Sequence, residues 1–271
     1  MRGMPENGLQ LLYEDNHLIA VNKRPSDIVQ GDKSGDVPLS DRVREYIKSR
    51  YARPGSVFVG VPHRLDRPTS GVVLFARTSK ALQRMALLFR EGGVAKKYWA
   101  MVQARPPRGE DTLVHYLTRN PGQNKSYLAD QPKPGAQEAR LKYRLLLSLE
   151  RYHLLEVELG TGRHHQIRAQ LARIGCPIKG DLKYGARRSN PGGGIHLHAR
   201  EVCFVHPVRQ EPVRIVADPP PDPLWDEAMR RLAAPPAGDP GPAGPLPPEA
   251  LPPENAAPPP VEDAPPPAFP D

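Results

Sequence analysis

Residues Pro62–Ala76 read PHRLDRPTSGVVLFA, a charged loop that runs directly into an apolar segment. Asp66 is the only carboxylate in this stretch and lies between two arginines. The stretch Pro68–Gly71 predicts a turn, since Pro presets φ and Gly accepts a positive φ. Val72–Ala76 has the length and β-branched content of a buried strand. Taken alone the pattern fits a surface ion pair, but neighbouring cations also keep an Asp ionised, and a loop braced by a strand can aim it at a substrate.

The charge of the chain is unevenly distributed. The formal net charge is +8, yet the segment from Asp218 to the end holds ten acidic and two basic residues. Residues 1–217 therefore contain 36 basic and 20 acidic residues. Such a basic body predicts a polyanionic partner, and nucleic acid fits better than a membrane because no amphipathic Lys/Arg helix stands out.

Cysteine content and the N-terminus indicate the compartment. Cys176 and Cys203 are the only cysteines, too few for a disulfide framework or a thiolate metal cluster. The first eight residues lack an apolar signal core, and no run approaches membrane-spanning length. We expect a cytoplasmic protein with no membrane segment.

Short apolar runs outnumber helical patterns, and they do not alternate strictly with helices. Strands are predicted at Leu9–Tyr13, His17–Asn22, Val57–Val61, Val72–Ala76, Lys96–Val102, Thr112–Thr118, Glu138–Ser148, Tyr152–Gly160, Ile195–Val205 and Val213–Val216. Helices are predicted from a cap at Ser40 and Asp41 to about Tyr51, from a cap at Ser79 to Gly92, at His164–Ile174 and at Leu224–Leu232. This pattern predicts an α+β fold with a mixed, largely antiparallel central sheet, flanking helices and a catalytic cleft.

Three separate motifs resemble those of the RluA-type pseudouridine synthases. The first is His63-Arg64-Leu65-Asp66 followed by Thr69-Ser70-Gly71 and the apolar strand. The second is Lys96-Lys97-Tyr98, and the third is Leu159–Arg168, LGTGRHHQIR, which is similar to the family's G-R-x-H-Q-I-R segment. The motifs occur in the expected order, and the resemblance extends from about Leu9 to Val216.

The resemblance implies roles for four residues. Asp66 would be the essential aspartate, acting either at C1′ of the ribose or by deprotonation at C2′. Tyr98 would stack on the target base and assist removal of the C5 proton, although an ordinary core tyrosine fits the same strand position. Arg168 would hold Asp66 by a bidentate fork, the alternative being a solvent-facing helix arginine. Arg64 would enter the RNA helix or contact the phosphate of the flipped nucleotide.

Other positions carry weaker implications. Gln170 stands where many relatives have His, and two histidines stand at 164 and 165, which affects local substrate contacts. The segments Ile178–Gly185 and His196–Ala199 extend the match, and we assign them structural roles. His196 and His198 share a strand face and could bind zinc, but satisfied polar contacts are the better interpretation, so we predict no metal and no cofactor.

The resemblance also divides the chain and suggests its partners. We expect an extension at 1–8, the catalytic domain at 9–217, a short docked helix at 218–233 and a disordered, acidic Pro/Ala-rich tail at 234–271, because twenty of the 35 prolines lie in the last 54 residues. Eight residues before the first strand leave no room for an S4-type RNA-binding domain, so a stand-alone monomer without an obligate protein partner is expected.

The predicted function is isomerisation of uridine to pseudouridine in structured RNA, either rRNA or tRNA. The alternative is a non-catalytic RNA-binding protein with the same fold. A glycoside or N-glycoside hydrolase is a further rival, but it would need two carboxylates at the bond, and no second acid stands out near the motifs. The loops Pro25–Pro38, Arg119–Gly135 and Asp181–Gly194 are expected to select the uridine.

Overall fold

A computed structural model describes residues 8–52 and 55–234, and within them ten strands and four α-helices. The strands are β1 Leu11–Glu14, β2 Leu18–Lys23, β3 Ser70–Ala76, β4 Val94–Val102, β5 Glu110–Asn120, β6 Lys125–Ala129, β7 Gln137–Ser148, β8 His153–Leu159, β9 Leu197–Val205 and β10 Pro212–Val216. The helices are α1 Leu39–Arg50, α2 Ser79–Arg90, α3 Gln166–Arg173 and α4 Pro223–Ala233.

All ten strands belong to one open sheet. Its order is β1-β2-β3-β9-β4-β8-β7-β5-β6, and β10 pairs with the second half of β9. The pair β3–β9 is parallel, and the other ladders are antiparallel. The predicted α+β class with a mixed, largely antiparallel sheet and flanking helices is confirmed.

Strand β3 is buried, as its sequence predicts. All seven of its residues are buried, and β2 pairs with it from Gly71 to Ala76 on one side. On the other side only Ser70 and Gly71 pair with β9. Gly71 has φ of +116°, and a Cβ there would lie 2.3 Å from the carbonyl oxygen of Ala199. Glycine is therefore required where the loop of Asp66 enters the sheet.

Two predicted helix caps are wrong. Helix α1 begins at Leu39 with Pro38 as N-cap, and the carbonyl of Pro38 accepts from the backbone N–H groups of Asp41 and Arg42. Ser40 lies inside the first turn, where its own N–H donates to the carbonyl of Val29. Helix α2 is capped one residue earlier than predicted, by Thr78, whose side chain accepts from the Ala81 N–H at 3.1 Å.

The predicted strand at Val57–Val61 does not form. Gly60 makes only an isolated bridge to Ala76, and Val59 and Val61 pack against the core in an extended segment. Beyond the bridge the ring of His63 replaces backbone pairing, because its Nε2 accepts from the Leu74 N–H at 2.9 Å. The segment thus fills the space where β3 and β9 diverge.

The predicted loop Arg119–Gly135 contains an unexpected strand. Residues Lys125–Ala129 fold back on Tyr116–Asn120 as β6. The Pro, Gly and Asn residues mark only the turn of this hairpin, in which Asn124 has a left-handed φ of 46°. The apolar pair Tyr127 and Leu128 was too short a signal to predict the strand.

Helix α4 packs on the sheet, as predicted for Leu224–Leu232. Trp225 and Ala228 are buried against Trp99, Met101 and Leu154. The tail predicted at 234–271 lies, from residue 235 onward, outside the described residues, and so does most of the predicted extension at 1–8. None of the helices in the described part of the chain is long and apolar enough to span a membrane.

Candidate active site

The loop that carries Asp66 is held rigidly by its own backbone and by a buried lysine. The Thr69 N–H donates to the carbonyl of Asp66 at 3.0 Å, which closes the predicted turn. The ammonium of Lys23 donates to the carbonyls of Arg67 at 2.8 Å and Thr69 at 2.7 Å. Lys23 is only 1% exposed, and burial lowers its pKa to about 7. The carboxylate of Asp66 therefore projects from a fixed loop, with 26% of its side chain exposed.

Arg168 lies beside Asp66, but its bidentate fork is made to a different acid. Nη1 of Arg168 donates to Oδ2 of Asp66 at 3.1 Å. Nε and Nη2 donate to the two oxygens of Asp181 at 2.7 and 2.8 Å. Arg168 is 4% exposed, so it is no solvent-facing helix arginine. Arg168 therefore contacts Asp66 through one nitrogen only, and the expected fork on Asp66 is wrong, because the fork is made to Asp181.

His165 is a second neighbour of Asp66. It adopts a left-handed φ of 53°, which delays the start of α3 to Gln166, two residues later than predicted. Its Nε2 lies 3.5 Å from Oδ2 of Asp66, and its Nδ1 lies 3.0 Å from the hydroxyl of Tyr184. Burial and the nearby charge of Arg168 lower the pKa of His165 to about 2, so the ring is neutral at physiological pH.

Tyr98 occupies the middle of the sheet near the same carboxylate. On β4 it pairs with Ala199 of β9 and Val157 of β8. Its ring packs between two hydrophobic clusters, one that contains Ala100 and one that contains Val73. Burial raises the pKa of Tyr98 above its usual range, and the negative charge of Asp66 raises it further. Within the described residues its hydroxyl has no hydrogen-bond partner. Tyr98 is thus a protonated phenol within electrostatic reach of Asp66.

Arg64 and Arg67, the two arginines that flank Asp66 in the sequence, differ in their surroundings. Arg64 is exposed and has no hydrogen bond or ion pair to any described residue. Arg67, by contrast, pairs with Asp36. The preceding His63 stacks on Phe89 with ring centroids 4.4 Å apart, and burial lowers its pKa to about 3. Arg64 is therefore an exposed arginine, two residues before Asp66 in the sequence, without an ion pair among the described residues.

His196 and His198, considered above as zinc ligands, have protein partners on both ring nitrogens. His196 donates from Nε2 to Asp222 at 3.0 Å and accepts from the Asn190 amide at Nδ1. His198 donates from Nε2 to the Ala217 carbonyl at 3.0 Å and accepts from Ser70 at Nδ1. No group of three or more potential metal ligands occurs among the described residues.

Sequence reasoning missed three residues around Asp66. Lys23, Asp181 and Tyr184 lie far from Asp66 in the sequence, and only the contacts they make in the folded chain reveal a role. A buried lysine and a buried aspartate would have been signals, but burial is not visible in composition. Gln170, expected to affect substrate contacts, is fully buried and donates to the carbonyls of Leu113 and Ala139.

The site therefore combines a partly exposed carboxylate, a buried guanidinium, a neutral imidazole and a half-buried tyrosine. A carboxylate held in this way can act as a nucleophile or as a base. The model of the RNA pseudouridylate synthase family matches residues 17–173, which include Asp66, Tyr98 and Arg168. The chain belongs to this family, whose members are isomerases acting on RNA.

Individual relatives agree with the family. tRNA pseudouridine synthase C of Salmonella typhimurium is 33% identical over 249 residues, covering 83% of this chain and 90% of the relative. Ribosomal large subunit pseudouridine synthase D of Xylella fastidiosa is 34% identical over 227 residues, covering 79% and 67%. An uncharacterised RNA pseudouridine synthase of Synechocystis is 30% identical, and the chain spans 66% of that relative's length.

Solved structures support the fold. Human RNA pseudouridylate synthase domain containing 4 superposes with a TM-score of 0.67 at 24% identity, covering 82% of this chain and 92% of that one. Human RNA pseudouridylate synthase domain containing 1 gives a TM-score of 0.64 at 23% identity, covering 88% and 100%.

Proposed function

We propose that this protein isomerises uridine to pseudouridine in a structured RNA, with Asp66 as the essential group. The observation that carries the proposal is the arrangement around Asp66. Oδ2 contacts Arg168 and His165, while Oδ1 has no hydrogen bond to any described residue and the side chain is partly exposed. An oriented, ionised carboxylate with one free oxygen is suited to act on a ribose as nucleophile or base.

The reaction needs no external reactant. The N1–C1′ bond of uridine breaks, the uracil ring turns, and a C5–C1′ bond forms. C5 loses a proton and N1 gains one, so atoms and charge balance without a metal or an organic cofactor. Asp66 acts at C1′ or removes a proton at C2′, and both routes require the carboxylate near the sugar.

Tyr98 and Arg168 would support this chemistry. We assign Tyr98 the face on which the detached uracil stacks, because its ring lies on β4 beside the carboxylate. We assign Arg168 the orientation of Asp66, because one guanidinium nitrogen reaches Oδ2 from a buried position. Arg64, exposed and unpaired, is assigned to the phosphate or the helix of the RNA that must release the target nucleotide.

The substrate class follows from charge and from the relatives. The 36 basic and 20 acidic residues of the first 217 positions suit a polyanion, and the similar proteins named for tRNA and for the large ribosomal subunit support one of these RNAs. We further propose a monomer without an obligate protein partner. A cytoplasmic location is supported by the two cysteines, neither of which is in a disulfide.

A glycoside or N-glycoside hydrolase would need a second carboxylate with a free oxygen, and Asp181 does not provide one. Asp181 is the acid nearest to Arg168, yet it is 1% exposed and both of its oxygens accept from Arg168. It therefore has no free oxygen to protonate a leaving group or to activate water.

The proposal is tested by incubating the purified protein with total tRNA and with ribosomal RNA from cells lacking the gene. We expect pseudouridine at one or a few positions, no free uracil, and no product with Asp66→Ala. Binding of the RNA without any product would favour the non-catalytic alternative, and release of uracil would favour a hydrolase.

A further inference from the structure

A second acid of the site, Asp181, is buried and has no role in the proposed reaction. Asp181 precedes a single 3₁₀ turn, Leu182–Tyr184, and the sequence assigned this segment only a structural role. Gly180 has φ of +89°, and a Cβ there would lie 2.4 Å from the Asn190 amide nitrogen and 2.9 Å from the Gly194 carbonyl. The turn is thus fixed in place by tight packing, which suits a segment that must hold other groups accurately.

Asp181 determines how Arg168 meets Asp66. A guanidinium has three nitrogens, and Asp181 accepts from Nε and Nη2 at 2.7 and 2.8 Å. This side-on pairing fixes the plane of the guanidinium, and Nη1 contacts Asp66 at 3.1 Å from Oδ2. Without Asp181 the planar fork of Arg168 would be free to close on both oxygens of Asp66, which is the geometry that arginine and carboxylate prefer.

Tyr184, three residues later, determines how His165 meets Asp66. The Tyr184 hydroxyl accepts from the Ser126 N–H at 2.9 Å and lies 3.0 Å from Nδ1 of His165. A lone pair on Nε2 would face the carboxylate at 3.5 Å and be repelled, so the proton of the neutral ring belongs on Nε2. The hydroxyl proton of Tyr184 is then shared between Nδ1 of His165 and the Ser126 carbonyl, which lies 3.1 Å from the hydroxyl oxygen, and Nε2–H points at Oδ2.

Both contacts to Asp66 therefore end on the same oxygen. We propose that the turn Asp181–Tyr184 is a positioning unit that acts through Arg168 and His165 to engage Oδ2 alone, so that Oδ1 is presented to the ribose. The inference rests on the proposed function and adds to it the identity of the reacting oxygen and two positioning residues. Neither Asp181 nor Tyr184 touches the substrate in this scheme.

A double-mutant cycle separates positioning from a merely structural role. We expect Asp181→Asn to lower kcat at least 30-fold with KM changed less than about twofold, because RNA contacts are unaffected. In an Arg168→Lys background, the same substitution is expected to lower kcat less than threefold, because Asp181 acts through the guanidinium. Additive effects in the cycle would overturn the inference, as would a change confined to KM.

Tyr184→Phe provides a second variant that removes only a hydroxyl and keeps the ring. It is expected to lower kcat about tenfold at constant KM, consistent with loss of one orienting hydrogen bond. Tyr46→Phe is the matched control. The hydroxyl of Tyr46, on α1, donates to Glu14 at 2.9 Å, and its removal is expected to leave kcat unchanged. Equal effects of the two substitutions would contradict a special role for Tyr184.

A crystal structure of Asp181→Asn gives a readout that needs no RNA. We expect Arg168 to turn so that a second nitrogen comes within about 3 Å of Oδ1 of Asp66, at hydrogen-bond distance. An unchanged contact to Oδ2 alone would overturn the inference even if the wild-type protein proved active. A wild-type protein with no isomerase activity would instead refute the proposed function, and this structure would still test the positioning.

Discussion

At the scale of single residues, the site depends on holding one carboxylate in place while one of its oxygens stays free. Arg168 supplies the positive charge from a buried position, and His165 adds a neutral donor. The pKa of Tyr98 is raised, because burial and the negative charge of Asp66 both favour its protonated form. The phenol is therefore neutral near neutral pH, and its phenolate is not populated.

Tyr98→Phe tests this description. It keeps the stacking ring and removes the hydroxyl, so we expect unchanged RNA affinity and a fall in kcat of about 10²- to 10⁴-fold, as for loss of a proton-transfer group. Because its raised pKa keeps Tyr98 protonated, the wild-type rate should not vary between pH 7 and 9 through this residue. A basic limb in that range that disappears in Tyr98→Phe, measured by single-turnover kinetics, would contradict the assignment.

The sequence predicted the contact of Asp66 with Arg168 but not the distribution of its hydrogen bonds. The contact was implied by the resemblance of the motifs to those of the family, since no local pattern connects Asp66 with Arg168. The competing acceptor, Asp181, lies in a segment whose local pattern indicates only a turn. Which of two acids receives the fork depends on burial and backbone position, and neither is encoded in spacing.

At the scale of elements, the two adjacent lysines of β4 point to opposite faces of the sheet, because side chains alternate along a strand. Lys97 points to the same side as Trp99 and pairs with Glu158 at 3.5 Å and Glu156 at 4.0 Å. Lys96 points to the side of Tyr98, and its ammonium lies 3.6 Å from where a Cβ of Gly162 would stand. Lys96 has no ion pair or hydrogen bond within the described residues, and burial lowers its pKa.

This difference gives a matched pair of variants. Lys96→Gln is expected to weaken RNA binding about tenfold at 0.1 M salt and to reduce the slope of log K against log salt by about one, as for loss of one phosphate contact. Lys97→Gln should change affinity less than about twofold, because its charge is already paired. Filter-binding titrations at several salt concentrations measure both, and equal losses would contradict a substrate-facing Lys96.

The predictability of the elements follows their burial. β3 and β4 were predicted almost completely because long apolar or alternating runs define them. β6 was missed because a short hairpin strand carries few apolar residues, and Val57–Val61 was predicted as a strand because an apolar run does not reveal whether a ladder partner is available. The caps of α1 and α2 shifted by one or two residues, since Pro38 and Thr78 compete with equally suitable neighbours.

At the scale of the whole molecule, β3 and β9 are joined near the site by a buried histidine. His198 is fully buried, bonded to Ser70 and to the Ala217 carbonyl, and burial lowers its pKa to about 4. The unfolded chain takes up this proton below about pH 6.5, while the folded chain does so only near pH 4. Stability is therefore expected to fall as the pH falls through this window.

Urea unfolding at pH 7 and pH 5 measures this linkage. His198 alone is expected to lower the free energy of unfolding by about 2 kcal/mol between the two pH values. His198→Asn should be less stable than the wild type at pH 7. Its free energy of unfolding should fall by about 2 kcal/mol less than that of the wild type between pH 7 and pH 5. A pH dependence identical in the two proteins would show that His198 is not the titrating group.

The central claim is that the charge of Asp66 performs chemistry and is not needed for folding or RNA binding. The most direct test compares Asp66→Asn with Asp36→Asn, a matched change of an exposed acid that pairs with Arg67 in the same region. Pseudouridine formation under single-turnover conditions and RNA affinity are measured for each. We predict no product from Asp66→Asn, with affinity within a few-fold of wild type, and full activity from Asp36→Asn. Product formed by Asp66→Asn at a rate near that of the wild type would contradict the account.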